Sequence, residues 1–250
     1  MLGRALELPG ILHQPLGDGP YPAVVMLSGH GGWAGGGANA DHQSFWARKL
    51  VQWGYVALQV DSFLPRGPRA REMGEVSSQM TACDAYAAKA WLSALDFVDP
   101  DAIGVIGWSH GGIAVLDIVD AARVLQREVA GSALGATVRK MEPFKVAVAF
   151  YPYSHPLSAP DTPLLVLIGA RDDICPAYLT RTLKPDYAGT GLKISLTIYP
   201  DAYHAFDVEA VGEQGMNLNG HQLQYDPQAT ADALQRTRDF LRKYIGARKE

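Results

Sequence analysis

Apolar runs and amphipathic stretches take turns along this chain, and that alternation constrains its fold more than any other feature. Residues 23–27, 103–107 and 164–168 are apolar runs bounded by Pro, Asp or Gly, the pattern of strands buried on both faces of a parallel sheet. Residues 55–60 and 146–151 have the β-branched and aromatic content of strands, and 194–199 alternates like a half-buried edge. Between these six lie amphipathic stretches at 42–53, 77–97, 110–120, 177–188 and 227–244. Strands alternating with helices through right-handed crossovers predict an α/β fold, a doubly wound, mostly parallel sheet with helices on both faces. In such a sheet the chemistry gathers in the loops beyond the carboxyl ends of the strands.

A length of 250 residues suits a single domain of this kind over 1–250, and with 48% apolar residues the chain can bury a large core. Two stretches, 121–142 and 208–226, break the alternation and are expected as insertions, either surface decoration or a cover over the site. The formal charge of −4 is spread along the chain. It offers no basic face to nucleic acid and no polybasic run to a membrane, so neither is an expected partner. No apolar run approaches a transmembrane span. Arg4, Glu7, Pro9 and His13 interrupt the apolar core that a signal peptide requires, which makes the cytoplasm the expected address. Cys83 and Cys175 are the only cysteines, too few and too isolated for a disulfide framework or a zinc cluster. Neither a metal nor an organic cofactor is expected.

Gly107-Trp108-Ser109-His110-Gly111 fits G-x-S-x-G, and it follows a strand pattern and precedes a helix pattern. That context is what makes the pentapeptide specific, because a serine raised on a strained strand-to-helix turn needs flanking residues without a Cβ. A serine hydroxyl is a poor nucleophile at neutral pH. It needs a base, and the base needs an orienting carboxylate.

In α/β-hydrolases these groups follow in the order Ser, acid, His. After the strand at 164–168 comes Gly169-Ala170-Arg171-Asp172-Asp173, where either carboxylate fits; after the strand at 194–199 comes Pro200-Asp201-Ala202-Tyr203-His204. Of the other six histidines, His30 and His110 precede the acid, and His13, His42 and His155 read as surface or structural residues. His221 is the rival to His204, without a strand before it to hold it. The backbone N–H of His110 and that of His30, in the loop Ser28-Gly29-His30-Gly31-Gly32, are the candidate oxyanion-hole donors. Candidate substrate contacts are Trp108, beside the serine, and Arg66, whose planar fork suits a carboxylate; the competing reading pairs the loop arginines with nearby acids such as Glu72.

Taken together, Val24-Val25-Met26-Leu27-Ser28-Gly29-His30-Gly31-Gly32, Asp61-Ser62-Phe63-Leu64-Pro65-Arg66-Gly67, Gly107-Trp108-Ser109-His110-Gly111-Gly112, Gly169-Ala170-Arg171-Asp172-Asp173 and Tyr199-Pro200-Asp201-Ala202-Tyr203-His204-Ala205-Phe206-Asp207 resemble the dienelactone hydrolase family of α/β-hydrolases. The resemblance covers nearly the whole length. It implies the α/β-hydrolase fold, Asp172 as the acid and His204 as the base. Two departures stand out: the enzyme that names the family uses a cysteine nucleophile where this chain has Ser109, and family members commonly begin the oxyanion loop with His-Gly where this chain has Ser28-Gly29. The expected activity is hydrolysis of a small carboxylic ester or lactone through an acyl-enzyme. The same three residues also suit a thioesterase, a peptidase or an acyltransferase, and a non-catalytic ligand-binding protein is the rival from another class.

Overall fold

Described in the computed structural model are residues 6–33, 36–72, 74–120, 142–183 and 194–247. The strands β1 (Gly10–His13), β2 (Tyr21–Leu27), β3 (Val56–Val60), β4 (Val98–Trp108), β5 (Val146–Phe150), β6 (Leu164–Gly169) and β7 (Ile194–Tyr199) form one sheet in the order β1-β3-β2-β4-β5-β6-β7. Strands β2 to β7 run parallel, as the alternation of strands with helices predicts. The four-residue β1 pairs antiparallel with β3 and covers its edge. The helices are α1 (Ala38–Gln52), α2 (Gly67–Glu72), α3 (Ser78–Leu92), α4 (His110–Val119) and α5 (Pro227–Ile245).

Strand parity divides the core into two layers. Val25, Leu27, Val105, Ala147 and Val166 face α3 and α4, where Ala82, Tyr86, Val115 and Ile118 meet them. Val24, Met26, Ile106, Val148 and Leu167 face the opposite way, against Trp46 and Leu50 of α1 and Ala233 and Leu241 of α5. Helix starts are capped where the sequence supplies the side chain: Ser77 accepts from the Met80 N–H, and Asp226 accepts from Gln228 and Ala229 with Pro227 at the first helical position.

Three expectations need comment. The stretch 177–188 is not an amphipathic α-helix where it is described. Ala177–Thr182 forms 3-10 turns instead, and the hydroxyls of Thr180 and Thr182 donate back to the carbonyls of Ala177 (2.6 Å) and Leu179 (2.7 Å), holding the tighter spacing. The remainder of that stretch from residue 184, and residues 121–141 of the expected insertion at 121–142, lie outside the described residues. The segment 208–226 contains a 3-10 turn (Glu209–Val211) and a hairpin of β8 (Met216–Leu218) and β9 (His221–Leu223). Leu223 packs with Ala205 and Val208 and bridges to His204, so the hairpin abuts the loop after β7. Among the described residues no helix is long and apolar enough to cross a membrane.

Candidate active site

The central strand β4 ends at Trp108 and delivers Ser109 with φ 51° and ψ −112°. For a residue with a side chain this is a strained backbone, held only where the surroundings fix it. Two glycines allow the turn. A Cβ on Gly107 would run into the carbonyl of Gly111, and a Cβ on Gly111 into that of Leu27 on β2. The Ser109 N–H donates to the Phe150 carbonyl (3.0 Å), pinning the elbow to β5. Helix α4 starts at His110, directly after Ser109, and its first turn has no side-chain cap.

Asp172 follows β6 in a tight turn. Its Oδ1 accepts the N–H groups of Ile174 (3.0 Å) and Cys175 (2.7 Å), which leaves Oδ2 facing His204 Nδ1 at 2.7 Å. The other ring nitrogen, Nε2, lies 3.0 Å from Ser109 Oγ. Asp172 and His204 are 4% and 6% exposed, so their interaction is little weakened by water. The residues alone left Asp172 and Asp173 open and the resemblance favoured Asp172; in the structure Asp173 is exposed and pairs with exposed His221 at 3.4 Å. His221 does have a strand before it, β8, contrary to the sequence reading. What separates it from His204 is this surface placement.

The loop after β2 skirts Ser109: a Cβ on Gly29 would stand 3.7 Å from that of Ser109. Asn39 donates to the carbonyls of His30 and Gly32, and the buried carboxylate of Asp61 receives the N–H of Trp33 (3.0 Å) together with those of Phe63 (2.8 Å) and Leu64 (3.0 Å). Asp61 thereby ties two loops at the mouth of the site. Beside Ser109 the rings of His30, Phe63 and His110 meet edge to face, with Phe63 5.1 Å from His110. Burial, with His30 nearby, pushes the His110 imidazole down to about 4, and its Nε2 sits 3.1 Å from Thr81 Oγ1. It is neutral at ordinary pH.

Both candidate substrate contacts need correction. Arg66 is engaged inside the protein. Its guanidinium meets Asp84 of α3 in a bidentate pair (2.7 and 3.0 Å) and also donates to the Ser62 carbonyl. The partner is Asp84, and the positive charge is already matched. Trp108 points away from the site because strand parity sends its side chain into the layer facing α1 and α5. There it is 2% exposed and stacks on Phe150 at 5.6 Å.

Under Trp108 lies a carboxylate that sequence reasoning did not single out. Asp207 Oδ2 accepts from Trp108 Nε1 (3.0 Å) and Trp46 Nε1 (2.9 Å) and pairs with His42 Nε2 (2.8 Å), while Oδ1 accepts the Tyr151 hydroxyl (2.7 Å). Burial alone would raise the Asp207 carboxyl, but the charge of His42 and the converging hydrogen bonds hold it below the usual carboxylate range. Tyr151 is driven up by burial and by Asp207, and its ring stands 4.6 Å from that of His204. Asp61 and Asp207 both fall in the stretches that carry the family resemblance; Tyr151 does not, and its only sequence signal is its place at the end of a strand pattern.

Among the described residues, the one set of metal-ligand atoms gathered within 4.8 Å belongs to Asp172, Cys175 and His204. Burial and the neighbouring Asp172 push the Cys175 thiol far up, so it stays protonated, and the other two already bond each other. The cluster suits proton handling better than a metal, which requires a thiolate.

Residues 129–245 match the dienelactone hydrolase family. That stretch includes Asp172 and His204 and begins after Ser109, so it is shorter than the resemblance the motifs suggest. Two uncharacterised proteins of Mycobacterium tuberculosis, from strains CDC 1551 and H37Rv, are each 32% identical over 171 residues, which is 66% of this chain and 57% of theirs. The match thus spans little more than half the length of these relatives. A dienelactone hydrolase-like promiscuous phosphotriesterase from metagenomic libraries superposes with a TM-score of 0.71 at 20% identity, over 97% of this chain and 95% of the other. Esterase 2 of Thermogutta terrifontis, solved phosphorylated by paraoxon, gives 0.67 at 18% identity, over 98% and 92%. At these identities the structural likeness is one of fold. Residues 129–245 are thus similar in sequence to the dienelactone hydrolase family, and over nearly its whole length the chain has the fold of the α/β-hydrolases it superposes on.

Proposed function

We propose that this protein hydrolyses carboxylic esters or lactones, with Ser109 as nucleophile, His204 as base and Asp172 as the acid that orients it. The observation that carries the reading is the continuous hydrogen-bond chain from Asp172 through His204 to Ser109, 2.7 and 3.0 Å, at a strained elbow. Ser109 Oγ attacks the carbonyl carbon and gives its proton to His204 Nε2, which passes it to the departing alcohol. Water then enters along the same path, loses a proton to His204, and releases the acid while Ser109 regains its hydrogen. Asp172 holds the Nδ1–H tautomer and stabilises the imidazolium, and the N–H groups of His110 and His30 bind the tetrahedral oxyanion.

The matched charge of Arg66 and the neutral His110 favour an uncharged ester over a carboxylate-bearing one. The test is mass-spectrometric mapping of a fluorophosphonate adduct, together with turnover of a chromogenic ester. Stoichiometric labelling at Ser109, abolished with turnover in Ser109→Ala, is expected. A folded wild-type protein that takes no label and cleaves neither ester nor thioester would leave the ligand-binding reading in its place.

A further inference from the structure

The hub at Asp207 touches both halves of the proposed site. Asp207 stands three residues after His204, and its carboxylate reaches the indole of Trp108, which directly precedes Ser109. Its other oxygen receives the hydroxyl of Tyr151, whose ring stands against His204. Four non-glycine residues among those described have a positive φ, and three surround this hub: Ser109 (51°), Tyr151 (36°) and Ala205 (59°). Such conformations persist only where neighbouring contacts over-determine them, and a bulky residue such as Tyr151 is strained there. The buried carboxylate is the shared anchor. It holds the residue before the nucleophile, the ring against the base, and α1 through His42 and Trp46.

We propose that Asp207 is a positioning residue for the Ser109–His204 pair, acting through the Trp108 indole on the elbow and through the Tyr151 hydroxyl on the ring that backs His204. The inference rests on the reading of Ser109 and His204 as nucleophile and base. The hydrogen bonds of Asp207 go to His42, Trp46, Trp108 and Tyr151. A cavity of about 410 Å³, lined in part by Asp207, His42, Asp41 and Tyr225, lies against the hub, and neither Ser109 nor His204 lines it.

Tyr151→Phe is the sharpest perturbation, because it keeps the ring and cuts its tie, while Asp207 retains His42, Trp46 and Trp108. Asp207→Asn is measured beside it as the second variant. Its amide can accept from the two indoles and offer its NH2 to the Tyr151 oxygen. Both are compared with wild type, per folded molecule by circular dichroism, for the rate of fluorophosphonate labelling at Ser109 and for kcat and KM on one neutral ester. In Tyr151→Phe the labelling rate and kcat should each fall roughly ten- to hundredfold, with KM moving by less than about threefold, because misplacing catalytic groups by an ångström costs that order. Asp207→Asn should lose less than Tyr151→Phe, since it preserves the tie. If Tyr151→Phe stays folded with kcat and labelling within about twofold of wild type, the hub is merely structural and the proposal fails. If it does not fold, Trp108→Phe, which cuts the other tie at the elbow, decides: unchanged KM with reduced kcat upholds the proposal, and unchanged kcat overturns it. Failure of the wild-type protein to label at Ser109 would sink the assignment of the nucleophile instead.

Discussion

Replacing His110 by Gln should remove much of the protein's sensitivity to mild acid. The imidazole is held down to about 4 in the folded chain, chiefly by burial, with His30 adding to the effect and Asp117 opposing it, against 6.5 when unfolded. Between those values the unfolded chain binds the proton and the folded one resists it, so this contribution is intact above pH 6.5 and is lost as pH falls toward 4. The whole difference corresponds to roughly 3 kcal/mol, of which about 2 kcal/mol disappears between pH 7.5 and pH 5. Glutamine carries no titrating group and can still reach Thr81. His13, also lowered by burial, and Asp207, held low by His42, weaken the fold in acid as well, so the informative quantity is the difference between variant and wild type. Urea unfolding at pH 7.5, 6 and 5 measures it. The wild type should lose about 2 kcal/mol more than His110→Gln over that range; parallel stability curves for the two proteins would refute the account.

Asp172→Asn should lower kcat by roughly three to four orders of magnitude through the wrong histidine tautomer, whereas Asp173→Asn, which loses only an exposed pair with His221, should change it by less than about tenfold; steady-state kinetics on one ester ranks them, and an inverted order would exchange their roles. Arg66→Ala leaves Asp84 buried without its partner and should cost on the order of 3 kcal/mol in urea unfolding. Its kcat/KM should change equally for a neutral ester and its anionic analogue, and a selective loss on the anion would restore Arg66 to the binding site. Gly111→Ala forces a Cβ into the Leu27 and Ser28 carbonyls and should destabilise the fold by about 1–3 kcal/mol, with a larger loss of turnover than of stability when both are measured below the unfolding range.

The sheet was legible because each of β2 to β7 carries enough apolar or β-branched residues to declare itself, and because strands that alternate with helices leave few topologies open. The strands β1, β8 and β9 have three or four residues each, too few for a period to show, and they form because a neighbouring edge offers partners. Ser109, Asp172 and His204 were legible as motif, order and loop position, and the structure brings them within hydrogen-bond reach. The two substrate contacts were not legible for two different reasons. The partner of Arg66 lies 18 residues away on α3, a pairing that no local pattern reveals. The direction of Trp108 follows from strand parity, which fixes the buried face only once the register is known. Asp207 looked like one more acid after a histidine; four donors from three other segments define it, and their convergence exists only in the folded chain.

The separation of 95 positions between Ser109 and His204 also orders events during synthesis. At roughly 5–20 residues per second, a ribosome would extrude the serine some 5–20 seconds before the histidine. Throughout that interval Ser109 is an ordinary alcohol, since Asp172 emerges partway through it but His204 does not. His204, the proposed base, arrives on the loop after β7, which pairs with β6. On the proposed roles, competence to attack an ester would arise only once the loop after β7 is in place, and a nascent or truncated chain ending before β7 would carry Ser109 without its reactivity.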